Sequence, residues 1–286
     1  MNIEKKLTKI LLDLGDRPLT VIGPPGSGKT TIITVLGLMK YVLEGSSITY
    51  VTQKSSDVMG GALTTPLIPW KCIRENLFLV LDSYEELSAR PGITILASIA
   101  NRFRTYNNYV KYLRYLAKNP RNVHALWLLE RVSLLRDFVT DVDAGNNMDR
   151  KVVTNLQGRD IRGGVYLTTA LILNSMCHQS INNVLILDDI TILPIRDEAL
   201  LRIIRMTRGI TNTWMVLHGI GRLNIEDLNT PTIVTNHSGI AKTHSRYREI
   251  LNQIQPGEAL YIGINEQLKI RIHEIKELRN KLLNKY

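Results

Sequence analysis

Four residues near the start of the chain carry the first chemistry. Gly23, Gly28, Lys29 and Thr30 fit G-x-x-x-x-G-K-[ST] within TVIGPPGSGKTT, with an apolar run before them and a helical period after them. Glycines at those positions let backbone N–H groups close around phosphate oxygens. A lysine at the head of a helix reaches the outer phosphates, and the next threonine offers its hydroxyl to magnesium. The predicted cradle comprises Gly23, Pro24, Pro25, Gly26, Ser27, Gly28, Lys29, Thr30 and Thr31, and the ligand it implies is ATP with Mg²⁺. A glycine-rich turn with a chance lysine is the bland alternative, and it leaves the strand-loop-helix context unexplained.

Such a cradle needs an acidic partner at the end of a neighbouring buried strand, and VLILDDI supplies two carboxylates. Asp188 is the candidate on the magnesium side, with Thr30, and Asp189 the candidate base or water-orienting group. The alternative is that the pair caps the following element, a common role for aspartate. The four-residue apolar run before it favours the site.

The elements that must position these groups follow from periodicity. Residues 2–14 repeat apolar side chains at helical spacing, GDRP breaks that helix, and LTVI reads as a buried strand. After the glycine loop a helix runs to Gly45, then SSITYVTQ reads as a second strand. Residues 64–149 are mainly helical in pattern, split by Pro91 and Pro120. RKVVTNL, NNVLILDD, TWMVLHG and TPTIVTN read as further strands, the segments GVYLTTALILNSMCHQS, DEALLRIIRMTRG and SRYREILNQI as helices, and GEALYIG with LKIRI as a closing hairpin before a basic terminal helix. The expected fold class is α/β, with a central mainly parallel sheet flanked by helices. Residues 1–63 and 150–286 form the expected ATPase core, and residues 64–149 a helical insertion.

Composition bounds the partners. The 286-residue chain carries a formal net charge of +10, which suits a polyanion because clustered Lys and Arg release counterions from phosphates. Cys72 and Cys177 lie in apolar stretches and read as reduced core residues, with a disulfide or metal site disfavoured. The charged start MNIEKKLTKILLDLGDRP does not fit a signal peptide, and no apolar run is long enough to span a bilayer. A soluble, cytoplasmic chain is expected.

Roughly 160 residues separate Lys29 from Asp188, more than a simple kinase or compact helicase loader needs. Beyond the acidic pair come TRGITNTWMVLH, TPTIVTN and IQPGEALYI, and KVVTNLQGRDIRGGVYLTTALILNSM precedes it. In this order of pieces the chain resembles the HerA and FtsK superfamily of RecA-like DNA-pumping ATPases, over residues of about 17–60 and 150–272. The resemblance implies a ring, expected to be a homo-hexamer, in which Arg208 enters a neighbour's site and His218 senses the γ-phosphate. Arg208 otherwise complements a helix C-terminus, and His218 otherwise sits as a satisfied core or rim histidine. The chain departs from the family in carrying Asp189 where Glu is common and His218 where Gln is common, and with about 20 residues before the cradle the N-terminal barrel of cellular HerA proteins is not expected. A pared-down core of this kind suits a virus or plasmid ATPase, with a viral or transfer-machinery protein as a further partner.

The insertion holds a second cluster. Arg102, Arg104, Lys111, Arg114, Lys118 and Arg121 occur with no acidic residue between Ala100 and Leu129, and Tyr106, Tyr109, Tyr112 and Tyr115 recur among them. Basic groups grip phosphates and aromatic rings stack on unpaired bases, whereas the same spacing also describes a packing face beside a solvated one. The leading expectation is an ATP-hydrolysing motor that moves or packages DNA, double-stranded DNA being the favoured form. Its rivals are an AAA+ replication initiator or helicase loader, disfavoured by the long gap before the acidic pair, and a nucleotide-dependent protein-binding switch with low turnover.

Overall fold

A computed structural model describes residues 2–52, 67–87, 89–142, 151–156, 159–178, 183–188, 193–199, 202, 205, 212–217, 230–235 and 254–285. Helix α1 (Ile3–Leu14) starts where the Asn2 side chain accepts the Glu4 amide at 3.1 Å, buries Leu7, Ile10, Leu11 and Leu14 on one stripe, and ends at Gly15. Strand β1 (Leu19–Ile22) is buried throughout. Helix α2 (Lys29–Glu44) follows the glycine loop and closes on Gly45 in the left-handed conformation. Ten of its sixteen residues are buried, so it is covered nearly all round.

Eight strands build the main sheet: β1, β2 (Ser47–Thr52), β5 (Lys151–Asn155), β6 (Asn183–Leu187), β7 (Asn212–Leu217), β8 (Thr232–Thr235), β9 (Glu258–Ile262) and β10 (Gln267–Arg271). Their spatial order is β10-β9-β8-β1-β7-β6-β2-β5. Pairing is parallel from β8 to β5 and antiparallel across β8, β9 and β10. β1, β2, β6, β7 and β8 are buried on both faces, which is why they read as continuous apolar runs.

Alternation along each strand divides the core in two. Val21, Ile48, Tyr50, Val184, Ile186, Trp214, Val216 and Ile233 pack on α1, α2 and the C-terminal helix α9 (Ile272–Lys285). The opposite face presents Ile22, Val51, Leu185, Leu187, Met215, Leu217 and Val234 to α8 (Ile161–His178). Beneath α8 on that same side lie α3 (Trp70–Arg74), α4 (Leu77–Asp82), α5 (Pro91–Ile99), α6 (Tyr106–Ala117) and α7 (Val123–Ser133). A two-residue parallel pair, β3 (Ile68–Pro69) with β4 (Val139–Thr140), ties the ends of this helical stretch together. The helices between β2 and β5 therefore share one core with α8 and a sheet face.

Two polar fixtures stiffen the other side. Lys40, only 2% exposed, donates to the Gly15 carbonyl at 2.8 Å, to Asp16 at 3.3 Å and to Asn212 at 3.5 Å, joining α2 to the α1–β1 turn and the start of β7. Asp13 accepts from the Tyr261 hydroxyl at 2.8 Å and from the Ile264 and Asn265 amides at 3.1 Å, which pins the β9–β10 turn to α1. Desolvation works against the Asp13 carboxylate, but these donors together outweigh it and hold its pKa below the usual carboxylate value.

The cysteines differ from the expectation. Cys72 of α3 and Cys177 in the last turn of α8 form a disulfide, their Cα atoms 5.5 Å apart and 105 positions apart in sequence. Packing of α3 against α8 brings them within bonding range, a proximity that local sequence does not reveal. Reduction by thiol, or Cys177→Ser, should lower unfolding free energy by about 2–5 kcal/mol. Thermal melts with and without reductant measure it, and coincident melting curves would contradict the crosslink.

Candidate nucleotide site

The cradle lies at the C-terminal edge of the sheet, where β1 gives way to α2. Gly26 and Gly28 have φ of 75° and 87°, values that L side chains rarely adopt, so the loop's course requires glycine there. Gly23 is needed for space, because a Cβ on it would collide with the Thr235 hydroxyl. A Cβ on Gly28 would meet an Ile272 methyl at 2.6 Å, so α9 closes the loop from below. Lys29 is 4% exposed, and its ammonium donates to the Pro24 carbonyl at 2.6 Å.

Thr30 and Asp188 are brought together across 158 positions of sequence. The Thr30 hydroxyl lies 3.1 Å from each oxygen of the Asp188 carboxylate. Asp188 follows directly on β6, its amide donating to the Val51 carbonyl at 2.9 Å, and β7 separates β6 from β1 in the sheet. A hydroxyl and a carboxylate are hard oxygen donors, the set magnesium favours when phosphates complete its shell. Among the described residues no group of three or more His, Cys, Asp or Glu could hold a metal ion by itself.

Three participants lie outside the sequence motifs. The Tyr50 hydroxyl donates to Asp188 Oδ2 at 2.7 Å. The Ser27 hydroxyl, 2.7 Å from the Pro24 carbonyl, is also 2.6 Å from the Thr235 hydroxyl, which in turn lies 3.2 Å from the Ile22 carbonyl. Ile272 supplies the apolar floor under Gly28. Tyr50 carries a signal in sequence, since a tyrosine inside a buried strand needs a partner for its hydroxyl. Thr235 carries none, because its reach depends on β8 lying beside β1, 213 positions away.

Asp189, Arg208 and His218 lie outside the described residues, as do the segment SRYREILNQI up to Gln253 and most of the helix expected around Arg205. In the helical layer, Arg102, Arg104, Lys111, Arg114, Lys118 and Arg121 are all exposed. The tyrosines divide. Tyr106 and Tyr109 are buried against Trp70, with ring centroids 5.6 and 5.7 Å away, and donate to the Val132 and Leu96 carbonyls at 2.8 Å. Burial pushes the Tyr106 phenol up to about 12. These two are packing residues, because the α6 face they share turns inward, and only Tyr115, 70% exposed, stands clear of that core.

Fold and site together define a RecA-like P-loop NTPase architecture. The structure of VirB4 of Thermoanaerobacter pseudethanolicus has the same fold, with a TM-score of 0.64 at 12% identity, covering 90% of this chain and 91% of that one. What the two chains share is this fold. Two looser matches are the genome packaging NTPase B204 from Sulfolobus turreted icosahedral virus 2 in complex with ATP-gammaS, and the bacterial conjugative coupling protein TrwB. B204 has a TM-score of 0.47 at 11% identity over 90% of this chain and 96% of that one, and TrwB 0.48 at 14% over 94% and 81%. No family model matches the chain. None of the curated proteins matches it.

Thr235→Val keeps the β-branched shape of β8 and removes the hydroxyl that holds Ser27. Losing a hydrogen bond worth about 1 kcal/mol should weaken nucleotide binding about fivefold. Titration with a fluorescent ATP analogue reads this, and wild-type affinity would show that the loop holds its form without Thr235.

Proposed function

We propose that the chain hydrolyses ATP and uses the cycle to move DNA. The observation that carries the first half is the contact between Thr30 and Asp188, which joins the phosphate cradle to the acidic strand end. Backbone amides of residues 26–30 and the positive end of α2 bind the phosphates, Lys29 leaves the Pro24 carbonyl to reach the outer ones, and Asp189 orients the attacking water. Thr30 and Asp188 would hold a magnesium ion, which would supply charge neutralisation for the phosphates. Arg208 from a neighbouring subunit completes the site in a homo-hexameric ring, and His218 reports the state of the γ-phosphate.

Three things support DNA as the cargo. The chain is strongly basic, with a net charge of +10. Its core carries the HerA and FtsK order of pieces. Lys111, Arg114 and Lys118 recur at helical spacing on the exposed side of α6, opposite Tyr106, Tyr109 and Leu113, with Arg102 and Arg104 just before that helix. A face with cations and no carboxylate along the helix is suited to a phosphate backbone. Among the described residues no helix is long and apolar enough to cross a membrane.

Lys29→Ala should abolish nucleotide-dependent activity, and Asp189→Asn should keep ATP binding while hydrolysis falls by at least about 100-fold. Normal turnover by Asp189→Asn would remove that residue from the reaction. ATPase assays with and without double-stranded DNA separate a motor, whose rate rises with DNA, from a slow, DNA-indifferent switch. Replacing Arg104, Lys111 and Arg114 with Gln should reduce the slope of log K against log salt by about 0.9 for each phosphate that the variant no longer neutralises. An unchanged slope would place the DNA-binding face elsewhere.

A further inference from the structure

We infer that Tyr50 is a positioning residue for the metal-side carboxylate, its phenol setting the plane in which Asp188 presents its oxygens. The inference rests on the nucleotide-site reading above and assigns a role to a residue that no motif contains.

Strand geometry makes the contact possible. Tyr50 pairs with Ile186 across the β2–β6 ladder, and Val51 with Leu187. Period-two alternation sends Tyr50, Ile186 and Asp188 to the same face of the sheet, the one covered by α2. The Tyr50 ring is fully buried among Ile48, Val184 and Ile186, and its hydroxyl points toward the sheet edge, where it donates to Asp188 Oδ2 at 2.7 Å. That length is typical of a hydrogen bond to a charged acceptor.

The terminal torsion of an aspartate is broad, so its plane is set by the donors that reach its oxygens. Thr30 stands 3.1 Å from both oxygens and does not choose between them, whereas Tyr50 takes one of them at shorter range. The threonine hydroxyl can ligate magnesium through a lone pair while it donates to Asp188, whereas the Tyr50 hydroxyl serves the carboxylate alone. Hydrogen bonds from behind a metal-side carboxylate are worth about 10-fold or more in metal affinity.

The experiment measures magnesium-dependent binding of a fluorescent ATP analogue to the full chain, comparing wild type, Tyr50→Phe, Asp188→Asn, the double variant and Lys29→Ala. Tyr50→Phe keeps the buried ring and should raise the magnesium concentration for half-saturation about 10-fold, with metal-free nucleotide affinity unchanged. In the Asp188→Asn background the same substitution should have no further effect, because Tyr50 acts through that carboxylate. A wild-type magnesium dependence in Tyr50→Phe overturns the inference, as does a full additional effect in the Asp188→Asn background. If Lys29→Ala binds nucleotide as wild type does, the site reading itself fails and takes this inference with it. A dead Lys29→Ala beside an unaffected Tyr50→Phe removes only the role of Tyr50.

Discussion

The contact between the Thr30 hydroxyl and the Asp188 carboxylate is the constraint on which the rest of this molecule depends. Each partner is held by a different part of the chain, Thr30 by the first turn of α2 and Asp188 by the end of β6. They meet only because β7 lies between β1 and β6, which places the acidic strand end one strand removed from the cradle and within reach of α2. The chain forms the rest of that neighbourhood late: β7 and β8, which flank β1, come after Asp188 in sequence. A site assembled from such distant pieces requires the whole sheet to be in register before it exists.

The cradle is held by neighbours on several sides. Thr235 on β8 fills the space beside Gly23 and meets Ser27, Ile272 at the head of α9 presses on Gly28, and Lys40 clamps the far end of α2 against the α1–β1 turn. Lys40 is costly to bury, and it is tolerated because a carbonyl, Asp16, Asn212 and Glu44 surround its ammonium. Rigid support of this kind lets backbone amides act on a phosphate without reorganising first. It also explains why α2 is covered nearly all round while remaining the helix that carries Lys29 and Thr30.

Much of this is legible in the amino-acid order. The glycine spacing, the apolar runs of the parallel strands and the carboxylate after VLIL each reflect a local rule that the fold obeys. What stays hidden depends on contacts across the sheet. Tyr50 can be suspected as a buried hydroxyl but not matched to Asp188 without the β2–β6 register, and Thr235 and Ile272 need β8 and α9 in place. The disulfide is illegible for the same reason, since the apolar texture around Cys72 and Cys177 says nothing of α3 packing on α8. The tyrosine spacing on α6 is ambiguous between stacking and packing, and the Trp70 ring, thirty-odd residues upstream, decides it for Tyr106 and Tyr109.

The helical layer and the phosphate cradle sit on opposite faces of the sheet, so any coupling between them has to pass through the strands or the segments leaving them. One such segment is visible. Downstream of Asp188, Arg196 donates its amide to the Ser83 carbonyl at 2.9 Å and its guanidinium to Asp82 Oδ1 at 2.9 Å, at the end of α4. Asp82 is buried, and its Oδ1 also accepts the Leu87 amide at 2.9 Å, so pulling Arg196 away would leave a carboxylate without its cation in an apolar setting. Glu85, Arg131, Glu130 and Arg162 form a second tie, from α4's exit through α7 to the head of α8. In that second chain Glu130 is exposed, so its pairs with Arg131 and Arg162 are individually weak, while the Arg131–Glu85 pair is half-buried. The Asp82–Arg196 link is bonded through both backbone and side chain, which ties the segment downstream of the acidic strand to the helices that carry the basic face.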